Sequence, residues 1–99
     1  MRPTHLLDAA GLGYAIKPVC ECGHSVAFDP MGLWWHFERR GWDDHLPKVR
    51  LRFWCVMCRS KLRRKVRPIR LEVVDISSND FTLPRPDERT WKKYSRSLR

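Results

Sequence analysis

Nowhere does this chain offer an apolar run long enough to cross a bilayer, which takes about 20 consecutive apolar residues. The opening MRPTHLLDAAGLG sets Asp8 and Gly11 where an export signal needs an unbroken apolar stretch, so no such signal is expected. The expected location is the cytoplasm, with no membrane partner. No acid–base pair stands out, so neither an enzyme nor a small-molecule substrate is expected. No repeat is visible beyond two cysteine pairs. Cysteine is restricted to four positions, and in a reducing compartment such pairs favour metal over disulfides.

Acidic residues are missing altogether between Lys48 and Arg70, a span with ten basic ones. Residues 1–47 carry four Lys/Arg against six Asp/Glu, whereas residues 48–99 carry sixteen against five. A field of one sign attracts a polyanion or an acidic protein face; a solvated basic surface has the same composition.

The cysteines form Cys20-x-Cys22 and Cys55-x-x-Cys58. Two close pairs brought together by the fold supply the four soft ligands of a tetrahedral structural zinc site. Gly23 suits the tight knuckle in which backbone N–H groups turn toward sulfur. Arg59 and Lys61 would offset the negative charge of a four-thiolate centre. His24 is a second candidate for the fourth ligand in place of Cys20. In isolation, FWCVMCRSK also reads as a thioredoxin-like redox site. That chemistry needs its first cysteine at a helix N-terminus after a βαβ unit. The residues after Cys58 read instead as strand.

The clearest helix runs from about Pro30 to Arg40. Asp29 caps it, proline occupies its first position, Leu33, Trp34 and Phe37 form its apolar stripe, and Gly41 ends it. A short helix from Asp44 to about Arg50 and a short strand into Cys55 are expected next. Val49, Leu51, Phe53 and Cys55 alternate, but Leu46, Val49 and Phe53 also keep a helical period. Strand character is expected at Tyr14–Val19, at Ser25–Phe28 and around Ile69–Val73. Residues 1–13 read as loosely ordered, 14–76 as the domain, and 77–99 as a basic, mobile tail.

CECGH (20–24), RRGWDDHL (39–46) and RFWCVMC (52–58) together resemble small bacterial zinc-ribbon-like proteins of uncharacterised function. The resemblance covers just over half the chain, although Arg59 stands where a glycine commonly follows the last cysteine. It implies a zinc ribbon with a helical insertion and brings no activity. The expected fold is thus a small zinc-bound α+β domain: zinc-ribbon-like antiparallel strands with an inserted helical hairpin and one structural Zn2+.

The leading functional expectation is a nucleic-acid-binding module, DNA or RNA. Its phosphate contacts would come from Arg50, Arg52, Arg59, Lys61, Arg63, Arg64, Lys65 and Arg67. The alternative is a protein-interaction adaptor that sets a Trp-rich face and the basic tail against an acidic protein. Trp54 alternates out of phase with Phe53. It is open either to stack on a base beside the arginines or simply to pack against their planes.

Overall fold

The computed structural model describes residues 3–95. Its elements are α1 (Leu6–Leu12), β1 (Tyr14–Val19), α2 (Pro30–Arg39), α3 (Leu46–Val49), a 3-10 turn (Arg50–Arg52), α4 (Val56–Leu62), β2 (Arg70–Asp75) and α5 (Glu88–Ser95). The chain is a small α+β protein. β1 and β2 form a two-stranded antiparallel sheet whose register runs from Tyr14↔Asp75 to Val19↔Arg70. The expected strand at Ser25–Phe28 is reduced to two isolated bridges on β1, Val19↔Ser25 and Ile16↔Phe28.

α2 follows its sequence signals. The Asp29 carboxylate accepts from the Gly32 N–H at 3.0 Å, and Pro30 opens the helix. Its stripe of Leu33, Trp34 and Phe37 packs with Ile16 and Val49, all five at most 2% exposed.

The ends of the chain depart from expectation. Of the stretch 1–13, residues 1 and 2 lie outside the described residues, and residues 3–13 do not lie loosely outside the domain. Leu6 and Ala9 of α1 are fully buried in the same core. The Asp8 carboxylate accepts from the Thr4 and His5 N–H groups, holding the helix start. The tail reading is likewise corrected from Phe81 to Tyr94, where the chain docks on α2 and the residues just before it; residues 96–99 lie outside the described residues. The Phe81 N–H donates to Ala27 O and the Asp29 N–H to Phe81 O. Arg85 clamps Asp29 through two hydrogen bonds of 3.0 and 2.6 Å. Trp91 and Tyr94 set their rings edge-on to Trp34. Sequence reading missed this because turn-formers and prolines dominate 77–87 while the docking aromatics are widely spaced.

The 44–62 region also differs. Asp44 does not begin the following helix. Its carboxylate accepts from the Leu7 N–H at 3.2 Å and its carbonyl from the Leu6 N–H, so it serves the start of α1 instead. The following helix is therefore only Leu46–Val49, extended by the 3-10 turn. No strand forms into Cys55. Val49 is buried and Phe53 half-buried, whereas Leu51 and Trp54 are 44% and 47% exposed, so the helical period prevails over the alternation.

After Cys55 the chain is helical, not extended. Cys55 is the N-cap of α4 and its sulfur accepts from the Cys58 N–H at 3.5 Å. Met57, Arg59, Lys61 and Leu62 are good helix formers, and the cations sit in the last turn. α4 ends on Arg63 in the left-handed region, φ 54°. An L-residue there costs about 1–2 kcal/mol, so Arg63→Gly should raise stability by roughly 1 kcal/mol in a denaturant titration. An unchanged or lowered midpoint would refute a strained helix end.

Candidate metal centre

The first cysteine pair leaves the end of β1 in a turn. The Gly23 N–H donates to Cys20 O at 2.9 Å and the Cys20 N–H to His24 O at 3.0 Å. Gly23 takes φ +93°, the left-handed geometry that glycine reaches at little cost. The turn aims the Cys22 N–H at the Cys20 sulfur and the His24 N–H at the Cys22 sulfur. The second pair stands on the first turn of α4. The centre thus joins one knuckle to one helix N-terminus, where the expected ribbon has two knuckles.

The sulfurs of Cys20, Cys22, Cys55 and Cys58 all lie within 4.8 Å of one another. Cys20 Sγ is 3.5 Å from Cys58 Sγ, and Cys22 Sγ 3.6 Å from Cys55 Sγ. A disulfide bond is about 2.05 Å long, so these are contacts between free thiols. Thiolates about 2.3 Å from a tetrahedral zinc ion are about 3.8 Å apart along each edge. The observed spacing fits that edge, and the cluster can hold a metal ion. Cys20, Cys55 and Cys58 are buried with Val66 packed against them, while Cys22 is exposed. His24 contributes its backbone to the knuckle, and Cys20 sulfur takes the corner for which His24 was the alternative.

The electrostatics show a cluster that suits a cation. Contact with the Cys20 sulfur, then burial, pushes the Cys58 thiol up to about 12. The Cys22 N–H and the Cys58 sulfur pull Cys20 down, but burial and the sulfurs of Cys22 and Cys55 outweigh them, and its thiol is raised. The His24 N–H and then the Cys55 sulfur lower Cys22 to about 7. Four sulfurs at this spacing cannot all ionise without a positive charge among them. Lys61 lines a cavity against Cys22 and Cys58 and supplies some of that charge from outside.

The eight expected phosphate contacts have different surroundings. The Arg50 guanidinium donates to Pro68 O at 2.8 Å and Arg67 Nε to Leu51 O at 3.1 Å. Arg52 lies 4.2 Å over the Trp42 ring and Lys65 4.5 Å over Trp54. Arg59, Lys61, Arg63 and Arg64 are exposed on and just beyond α4. Together with the Cys55 N–H bond to Val66 O, the Arg50 and Arg67 bonds staple segment 65–68 against segment 50–55. Among the described residues none of the eight pairs with a carboxylate; the ion pairs use Lys17, Arg70, Arg85, Lys92 and His5.

Beside the centre lies an apolar cleft that sequence reading did not find. Val26, Phe28, Phe53, Trp54, Val56 and Phe81 line it. Only Trp54 carried a signal, as an aromatic set among arginines. Phe28 and Phe81 come from distant segments joined by a single bridge, which no local pattern reveals.

No protein-family model, curated protein or solved structure matches the chain. No helix among the described residues is long and apolar enough to cross a membrane.

Proposed function

We propose that the four cysteines hold one structural zinc ion and that the domain so organised binds nucleic acid through its basic face. A four-sulfur tetrahedral set selects zinc or iron chemistry over hard cations. Four protein ligands leave no coordination position open, which suits a structural ion in a binding protein better than a catalytic one.

The observation that carries the nucleic-acid reading is a set of eight cations from Arg50 to Arg67 with no carboxylate partner among the described residues: Arg50, Arg52, Lys65 and Arg67 on two segments stapled together beside exposed Trp54, and Arg59, Lys61, Arg63 and Arg64 on and just beyond α4. Among the described residues no carboxylate pairs with these cations, so their field is free to act on a polyanion. The adaptor reading relied on surplus tryptophans and a free tail. Trp35 and Trp91 instead both pack against Trp34, and the tail is docked over its described residues from Phe81 on. The redox reading gains Cys55 at a helix N-terminus, but the sheet is antiparallel and the Cys22 sulfur touches the Cys55 sulfur.

Anisotropy titration of a labelled oligonucleotide tests this reading. With six to ten phosphate contacts, affinity should fall by about 10³–10⁵ between roughly 50 and 200 mM salt. Replacing Arg59 and Arg64 together by glutamine should flatten the log–log salt slope by about 2. Undetectable binding at low salt, or binding indifferent to salt, refutes it.

A further inference from the structure

The cleft between the zinc knuckle and the start of α4 is built like a receptor for a planar ring. It encloses about 290 Å³, near the lower end of ligand sites, about 300–1,000 Å³. Phe28 and Phe53 meet at a tilt of 58° with ring centroids 5.1 Å apart, and Phe28 meets Phe81 edge-on at 5.3 Å. Trp54 and Phe81 remain 47% and 52% exposed, and Val26 39%. Pro18 and Pro68 also line the cleft, and His24 brings an imidazole to it. Hydrophobic matter of this kind is seldom left open to water without an occupant.

The surroundings indicate which occupant. Lys65 sits 4.5 Å above the Trp54 ring. Arg50 is fixed to the carbonyl of Pro68, itself a wall of the cleft. Arg67 is fixed to Leu51 O, three residues before Trp54. A ring-sized apolar cleft with no carboxylate in its lining and three cations beside it complements a flat group carried on an anionic backbone.

Resting on the nucleic-acid reading above, we infer that this cleft takes one unpaired base of a single-stranded nucleic acid. Trp54 is the stacking surface, and Lys65, Arg50 and Arg67 hold the flanking phosphates. A base in a duplex is stacked on both faces and cannot enter, so the cleft distinguishes single strands from duplexes. The basic face alone does not, because it responds to phosphate density.

The test uses the full-length, metal-loaded protein, a labelled mixed-sequence single strand and a blunt-ended duplex of equal charge with no unpaired base. Trp54→Ala should weaken the single strand by about 10-fold or more, as loss of one base–aromatic stack does, and leave the duplex unchanged. Val26→Glu places a carboxylate at the cleft and should act likewise; with Val26 already exposed, this variant stays folded if Trp54→Ala does not. Equal metal content and melting temperature qualify a variant for comparison. If qualified variants hold the single strand as tightly as the parent, the inference is overturned and the salt-dependent reading stands. A parent that binds neither nucleic acid overturns both. An acidic, tryptophan-bearing peptide that occupies the cleft without being displaced by the single strand overturns the inference in favour of protein docking.

Discussion

Stripping the metal with a chelator should lower the melting temperature by more than about 20 °C, because structural zinc sites carry roughly 10–16 kcal/mol and each kcal/mol is worth about 4–8 °C in a domain of this size. Cys58→Ser should do nearly the same. Cys58 is buried, and its sulfur touches Cys20 Sγ across the joint between the knuckle and α4. Amide exchange should locate the damage. Residues 20–24 and 53–69 should lose protection first, since Val66 is the one partly buried hydrophobic side chain among the described residues that packs with the buried cysteines. The seven-residue core around Trp34 lies apart from them.

The pH dependence follows from the thiols. Cys58, held at about 12, and Cys20, also raised, carry protons at neutral pH and must release them as metal enters. Affinity therefore rises with pH. Below about 7, Cys22 is protonated as well and adds another proton to the exchange, so affinity should fall more steeply there. Chelator competition across pH 6–8 reads the slope. A full melting transition retained in chelator, or a C58S protein as stable as the parent, would show that the sulfurs do not organise the domain.

Gly32→Ala should destabilise the protein although it places a better helix former in α2. Propensity alone predicts a gain of about 1 kcal/mol. But a Cβ at Gly32 would run into the backbone carbonyl of Leu83, and backbone cannot swing aside as a side-chain tip can. Overpacking of this kind costs about 1–3 kcal/mol, and here it also lifts the tail from its seat. The Arg85–Asp29 clamp and the contacts of Trp91 and Tyr94 with Trp34 would then go. A net loss of about 2 kcal/mol should accompany faster tryptic cleavage at Arg89 and Lys92. A G32A protein as stable as the parent, with the tail still protected, would mean that 83–95 does not depend on this contact.

What was legible in the sequence was what is encoded locally. Asp29, Pro30 and the Leu33–Trp34–Phe37 stripe specify α2 within one segment, and Gly23 marks the knuckle by its conformational freedom. The four cysteines were legible because sulfur pairs announce their chemistry through spacing. Long-range partners were not. Asp44 looks like a first-turn residue of the helix that follows, but its carboxylate is taken by the N–H of Leu7. The residues after Cys58 look extended until Cys55 sulfur captures the Cys58 N–H and starts a helix. The docked tail and the cleft depend on Gly32 meeting Leu83 and Phe28 meeting Phe81, pairs about fifty residues apart.

The β1–β2 ribbon ends at Val19↔Arg70, one residue before Cys20. A slip of one residue along it would carry Cys20 about 3.3 Å, nearly a full edge of the sulfur tetrahedron, and would turn the inward side chains outward. A misaligned ribbon therefore could not load its ion. Metal capture would proofread strand alignment, rewarding one pairing and leaving its neighbours unclosed.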